Sequence, residues 1–410
     1  MNNYGKMILA ENQEYSLNCY ETQLNNNVLV VGASGTGKTR SIVTPNLLEA
    51  TGSYIVSDPK GNLYRQYYPY LTEQGYTVKI LDFTNPESSD RYNFFDYINS
   101  TQDIVSIAHM LIYNSENKSY QDPFWDQASQ LLLQALISYL IERQVPEERN
   151  LHSLLKLVNI CCSSGDLDHK ETLMDSLMKD HARANPDSYA VRTYEKFRTA
   201  ASKTLRSILI TVNAKLGLFD TPEIKKMTET DDIDISWVGK RKTAVFVVVS
   251  DTDRSMDPLV NLFFTQAMNQ LCRFADKVCK NNCLPVPVRF ILDDFATNCK
   301  IAEFPRMIAS IRSRGISTML MIQAESQLVK CYGDDWATII GNCDTYVYLG
   351  GNDVKTAQAV AERADVPVKK ILNMPVGTNW VFRRGQAPTN GRNFNLEAYL
   401  KDKLGKEQER

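Results

Sequence analysis

The sequence predicts an α/β protein with a mainly parallel central sheet and an all-helical unit spliced into its middle. Three observations carry this. Short apolar runs of strand length alternate with helical patterns near both ends of the chain, as parallel strands joined by crossovers do. From about residue 100 to 217 the period changes: apolar residues recur at three- and four-residue steps, as in Leu131, Leu132, Ala135, Leu136 and Tyr139, and no strand-like run interrupts them. The length, 410 residues, suggests two or three domains, or one large domain with an insertion, at about 150 residues each. The sheet domain is therefore expected at residues 1–99 and 218–410, and the all-α domain at 100–217.

Composition narrows the class. Hydrophobic residues make up 43% and charged residues 23%, which excludes a disordered chain and a fibre. Lys plus Arg (46) nearly balances Asp plus Glu (48). That excludes a globally basic nucleic-acid coat, but not a binder that confines its basic groups to a channel or patch. No apolar run approaches the roughly 18 to 20 residues that cross a bilayer. The start, MNNYGKMILAENQEY, lacks the basic and apolar regions of a signal peptide. The chain as given is thus expected to be soluble and not exported. Nine cysteines are scattered, and His109, His152, His169 and His181 do not pair with them at zinc spacing. Cys279-x3-Cys283, with Cys272 upstream, is the only suggestive cluster, and no partner pair follows it. Reduced thiols are expected.

In chain order, Asn27-Val-Leu-Val-Val31 reads as a buried strand followed at once by Gly32-Ala33-Ser34-Gly35-Thr36-Gly37-Lys38-Thr39. An apolar helix follows, bent or restarted near Pro45. A second strand, Tyr54 to Ser57, ends in Asp58-Pro-Lys60-Gly61, and a third, Tyr76 to Leu81, ends in Asp82. The helical unit has loops near Pro146, Gly165 and Pro186. Its later part, Val191 to Lys215, holds Arg192, Lys196, Arg198, Lys203, Arg206 and Lys215, a local positive excess. Strands resume at 243–249, 288–292, 317–322 and 345–349, with helices at 259–274 and 304–311 between them. The charged last ten residues or so are expected to fray.

Gly32-x4-Gly37-Lys38-Thr39 is the phosphate-loop pattern in its required setting, strand before and helix after. Glycines let successive backbone N–H groups converge on phosphate oxygens. The helix N-terminus adds its positive end. Lys38 is expected on the β and γ phosphates, and the Thr39 hydroxyl on Mg2+.

Such a site needs a carboxylate at the end of an apolar strand for the metal, and usually a second to orient water. Phe290-Ile-Leu-Asp293-Asp294 supplies both, making Asp293 the second metal ligand; Asp82 and Asp344 are the competing strand-end acids. Gln323 ends the next strand, where an amide can touch the γ phosphate or the attacking water, or be a plain polar strand end. Arg312-Ser-Arg314-Gly315 precedes that strand. Arg314 suits either a transition-state contact from a neighbouring subunit or a cation capping a helix C-terminus.

With the phosphate loop, the Asp58-Pro-Lys-Gly turn, the helical insertion, the acid pair and Gln323 in this order, the sequence resembles the TraG-type coupling proteins of conjugative type IV secretion, in the FtsK/HerA-like motor superfamily. The resemblance covers roughly residues 24–385. It includes DPFWDQASQLLLQALISYL at 122–140, KTLRSI at 203–208 and IIGNCDTYVYLG at 339–350. It implies a RecA-like P-loop NTPase domain with an inserted all-α domain, assembled as a hexameric ring, or monomeric in isolation. It implies ATP hydrolysis with Mg2+ that delivers relaxase-bound single-stranded DNA to the secretion channel. Accessory transfer proteins are further implied partners, met at the inner face of the membrane. Lys38, Thr39, Asp293 and Gln323 match family motif positions. Three departures stand out. Asp294 takes the place of the usual Glu, Asn62 ends a turn that usually ends in Glu, and the family's initial transmembrane helices are not seen. Two other readings stay open: a substrate-docking receptor with weak ATPase, and a double-stranded DNA pump. Lys240-Arg241-Lys242 and the 192–215 segment are the candidate DNA contacts.

Overall fold

The strand runs seen in the sequence become one nine-stranded sheet. The computed structural model describes residues 5–112, 123–163, 171–297 and 299–407. Its strands are β1 Lys6–Ala10, β2 Gln13–Ser16, β3 Val28–Val31, β4 Ser53–Pro59, β5 Thr77–Asp82, β6 Thr243–Val249, β7 Val288–Leu292, β8 Ile316–Ile322, β9 Thr345–Tyr348, β10 Thr378–Arg383 and β11 Thr389–Arg392. β1 and β2 form a separate antiparallel hairpin, and the main sheet runs β11-β10-β9-β3-β8-β7-β4-β6-β5. β9, β3, β8, β7, β4 and β6 pair in parallel. β3, β6 and β7 are buried at every residue. Strands covered on both faces read as continuous apolar runs rather than alternations, which is why these three were legible.

The chain divides into two units. One comprises Met1–Ile80, Asp234–Thr252 and Ala267–Arg410, and the other Leu81–Ile233 and Asp253–Gln266. The first holds the sheet. After the phosphate loop, residues Thr39–Val43 form a wide π turn, with the Thr44 N–H bonded to the Thr39 carbonyl, and a helix restarts over Thr44–Leu48. Pro45 has no N–H to give to the preceding turn, so the coil widens and begins again there. Asn46, buried, donates from Nδ2 to the carbonyls of Ile42 and Ile8 and accepts from the Ile8 N–H, stitching this helix to β1.

The second unit is helical, and its described residues between 100 and 233 form no strand. Helix Pro123–Glu142 carries the core, burying Leu132, Leu133, Leu136 and Leu140 among residues such as Val158, Tyr194 and Leu209. Each such leucine contributes about 1.5–3 kcal/mol. The Glu142 carboxylate accepts from Ser188 Oγ at 2.5 Å and the Ala190 N–H at 3.1 Å, and meets His181 Nε2 at 2.9 Å. Turns fall near Pro146 and Pro186 as expected. The loop near Gly165, His169 and the Asp122 that opens one family-like stretch lie outside the described residues.

Three local expectations change. The 304–311 helix is shorter, Phe304–Ile308, and a separate 3-10 turn covers Arg312–Arg314. Of the C-terminal segment expected to fray, the residues up to 407 belong to a helix, Leu396–Glu407, held where Tyr399 OH donates to Glu49 and Lys403 Nζ to the Leu48 carbonyl at 2.5 Å; residues 408–410 lie outside the described residues. The sheet also gains an antiparallel edge, β9-β10-β11. Among the described residues, no helix is long and apolar enough to cross a membrane, and no three His, Cys, Asp or Glu side chains gather as a metal site.

Candidate nucleotide-binding site

Register builds the site. Val31 of β3 lies opposite Ile322 of β8, and Leu292 of β7 opposite Leu320 of β8. The three strands therefore end at one edge of the sheet, and the residues that follow them, Gly32, Gln323 and Asp293, emerge there together. β8 stands between β3 and β7, so the phosphate loop and Asp293 start two strand spacings apart, roughly 10 Å. Open parallel sheets bind ligands at this end, beyond the carboxyl ends of the strands.

The loop is stapled to its neighbours: the Gly32 N–H donates to the Ile322 carbonyl at 3.1 Å, and the Ala33 N–H to the Gly350 carbonyl at 2.9 Å. Gly32 is required by space, since a Cβ there would lie 2.6 Å from Thr36 Oγ1. Gly37 is required by conformation, with φ at 91°. The loop then turns into the helix, the Ser41 N–H donating to the Gly37 carbonyl at 2.7 Å. Lys38 is buried and strapped across its own loop, donating from Nζ to the carbonyls of Gly32 (2.6 Å) and Ala33 (3.2 Å). Burial pulls its pKa down, and the carboxylates of Asp294 and Asp293 oppose that.

Thr39 Oγ1 donates to Asp293 Oδ2 at 2.6 Å, closing the gap between loop and acid. Asp293 is buried, which raises its pKa above the ordinary carboxylate range; the Thr39 hydrogen bond works against this and the neighbouring Asp294 charge works with it. The Asp294 N–H donates to Asp293 Oδ1 at 3.1 Å. Asp294 sits in the left-handed region, φ 51°, and Gln323 Nε2 lies 3.5 Å from its Oδ1, the outer limit of a hydrogen bond. The phosphate loop, Arg40, both acids and Gln323 wall a cavity of about 310 Å³. A hydroxyl and a carboxylate oxygen held together on its wall are hard oxygen donors, the set that suits a small divalent cation. Thr39 and Asp293 fit that role.

The other expected residues fall elsewhere. Arg314 is not brought to the phosphate loop of its own chain. It precedes β8, so that seven-residue strand, about 23 Å of rise, separates it from Gln323. Its guanidinium grips Asp276 through two bonds of 2.8 Å, and Gly315 follows with φ 76°, the arrangement of a capping cation. Asp82 closes its own turn, accepting from the N–H groups of Thr84 and Asn85. Asp344 precedes β9, at the far edge, and binds Arg384 and the Asn25 N–H. Asp58 accepts from the N–H groups of Leu63 (3.1 Å) and Tyr64 (2.8 Å), so the acid near the end of β4 serves the first turn of helix Asn62–Glu73. Asn62 Oδ1 accepts from Arg65. Of the basic segments, Arg198 and Lys215 pair with Asp175 and Asp126, while Lys240 and Arg241 lie over the Trp237 ring.

Sequence reasoning missed the outer support of the loop. Asn393 Nδ2 donates to the Thr36 carbonyl at 3.2 Å, and Glu397 pairs with Arg40. Nothing local marks these residues, since they lie more than 350 positions from their partners.

Comparison with known proteins follows from this geometry. A VirD4 type IV secretion system coupling protein of Bartonella henselae is 21% identical over 351 residues, 82% of this chain and 52% of that protein. The chain thus spans about half the length of the curated relatives it matches. Among solved structures, the bacterial conjugative coupling protein TrwBdeltaN70, in a trigonal form with sulphate, superposes with a TM-score of 0.67 at 18% identity, covering 90% of this chain and 85% of that one. TrwB in complex with ADP and Mg2+ gives a TM-score of 0.64 at 19% identity, covering 90% and 84%. These likenesses identify the fold as the RecA-like α/β type, mostly parallel. The model of the type IV secretory system conjugative DNA transfer family matches residues 4–364, from before the phosphate loop to beyond β9, and the chain belongs to that family.

Proposed function

We propose that this chain is the ATP-hydrolysing part of a conjugative coupling protein. It would work as a ring of six copies at the cytoplasmic face of the membrane, passing relaxase-bound single-stranded DNA, with accessory transfer proteins, to a type IV secretion channel. The observation that carries the reading is the Thr39–Asp293 hydrogen bond in a cavity that also holds Lys38, Asp294 and Gln323. ATP and Mg2+ suit the same cavity, and TrwB is known with ADP and Mg2+.

The chain's own residues divide the work. The backbone N–H groups of the loop, from Gly32 to Thr39, cradle the phosphates, and Lys38 exchanges its two carbonyl partners for phosphate oxygens. Thr39 and Asp293 would hold Mg2+, which when bound would supply charge neutralisation at the phosphates. Asp294 accepts a proton from the attacking water, and the Gln323 amide orients that water. Arg314 can act only on a neighbouring subunit, and only by leaving Asp276. A second reading, a docking receptor with slow turnover, is favoured by one observation: Asp294 is a short carboxylate on a left-handed turn.

Steady-state ATP hydrolysis with and without single-stranded DNA, over a range of protein concentrations, tests the reading with Lys38→Ala as the blank. DNA stimulation that rises cooperatively with protein concentration is expected, with Lys38→Ala slower by about 10²–10³-fold. Nucleotide binding without hydrolysis above the blank would instead mark a docking module.

A further inference from the structure

The turn after β7 and the helix after β8, Glu325–Tyr332, are closed into a ring by four polar contacts. The Gln323 backbone N–H donates to Gln327 Oε1 at 2.8 Å, and Gln327 Nε2 donates to Thr297 Oγ1 at 3.1 Å. The Thr297 N–H donates to the Asp294 carbonyl at 3.0 Å, and Gln323 Nε2 returns to Asp294 Oδ1 at 3.5 Å. A backbone N–H can only donate, so it fixes which end of the Gln327 amide faces Gln323 and leaves the NH2 for Thr297.

The turn inside this ring is unfavourable by itself. Asp294 (φ 51°) and Ala296 (φ 68°) both lie in the left-handed region, which a non-glycine residue keeps only when its surroundings impose it. The Phe295 N–H is anchored to the Met321 carbonyl at 2.8 Å, one strand away. The Ala296 N–H donates to the Cys299 carbonyl at 3.2 Å, and beyond these bonds and the long Asp294–Gln323 contact, Gln327 supplies a side-chain link from the turn to the end of β8. Asp294 and Gln323 face the cavity; Gln327 is not among the residues that line it.

We propose that Gln327 is a positioning residue for hydrolysis. By tying Thr297 to the Gln323 backbone it sets the spacing between the Asp294 carboxylate and the Gln323 amide, without touching nucleotide itself. The inference rests on the hydrolytic reading above. The contact between Asp294 and Gln323 is the longest of the four and faces the cavity, so a water or phosphate oxygen can enter there while the other three bonds hold.

Two measurements on Gln327→Leu and Thr297→Val test this. For kinetics, kcat should fall about ten- to a hundredfold, with KM for ATP and nucleotide affinity within about twofold of the parent, because misplacement near 1 Å is felt in the chemical step. Gln327→Glu keeps an acceptor for Gln323 and gives one to the Thr297 hydroxyl, so it should recover most of the rate. The Leu/Val double variant should be no slower than the worse single one. For structure, amide hydrogen exchange at residues 295–297 should speed up about tenfold or more in the nucleotide-free variants. Unchanged kcat, or a rise in KM alone, overturns the proposal, and so does unchanged exchange. If the parent chain itself fails to exceed the Lys38→Ala blank, the hydrolytic reading falls, while the exchange measurement still decides whether Gln327 holds the turn.

Discussion

The two ends of the central strands use the same residue types to opposite effect. At the carboxyl ends, Lys38, Asp293, Asp294 and Gln323 face a cavity, and no forked ion pair ties them down: a lysine donates to two carbonyls of its own loop, a hydroxyl to an acid, and an amide reaches an acid only at 3.5 Å. At the amino ends, charge is neutralised in forked pairs. Arg384 binds both oxygens of Asp344, and Arg314 both oxygens of Asp276. Bidentate pairs of this kind are strong and directional. One edge leaves its charges facing a cavity, and the other locks them into pairs within the fold.

Three substitutions test that contrast. Asp344→Ala should show the largest effect on stability, a loss of about 1–3 kcal/mol, since it takes the carboxylate partner from the half-buried N–H of Asn25 and removes the pair with the exposed Arg384. Chemical denaturation measures this, and nucleotide affinity should not change. An affinity loss as large as the stability loss would erase the distinction between the edges.

Asp58 sharpens it, because it lies on the site edge yet serves the fold. Burial raises its pKa to about 6, against the pull of its two helix N–H donors. Between the ordinary carboxylate value and about 6 the folded chain keeps a proton that the unfolded chain has lost. Stability is therefore fully present below that window and declines as pH rises through it, by up to about 2–3 kcal/mol. Thermal melts of Asp58→Asn from pH 4 to 7 should lack this decline. An identical slope in parent and variant would remove Asp58 as its source.

Arg314→Ala should be the mildest, within about 1 kcal/mol, because Asp276 is partly exposed. Hydrolysis by the isolated chain should not change. Mixing Arg314→Ala with Asp294→Asn subunits examines action between copies: recovered activity would give Arg314 a role at a neighbour's site.

How much of this the sequence shows depends on the reach of each signal. Gly32 to Thr39 is legible because every requirement, strand, turn and helix start, is met within a dozen residues. Asp293 is legible because an acid pair ending a fully apolar strand has few other uses. Pro45 shows the restart of its helix because its missing N–H acts locally. Arg314 was ambiguous, since a residue preceding a strand carries no mark of which sheet edge it faces. The β10–β11 edge escaped notice because Thr378–Arg383 and Thr389–Arg392 show little apolar alternation, and Asn393 and Glu397 gain meaning only through register with a loop far away in sequence. Gln327 reads as an ordinary helix residue until the turn at 294–297 is seen in its left-handed form.

The grip of Asn393 and Glu397 on the phosphate loop has a mechanical consequence. Helix Leu396–Glu407 is fastened to Arg40 by the Glu397 ion pair, the Asn393 amide just before it holds the Thr36 carbonyl, and Tyr399 and Lys403 reach Glu49 and Leu48 at the end of the helix that follows the loop. It works as a lever lashed to the loop. A load on that helix, from a fused protein, an antibody or a docked neighbour, should be delivered as a tug on the Gly32–Thr39 loop.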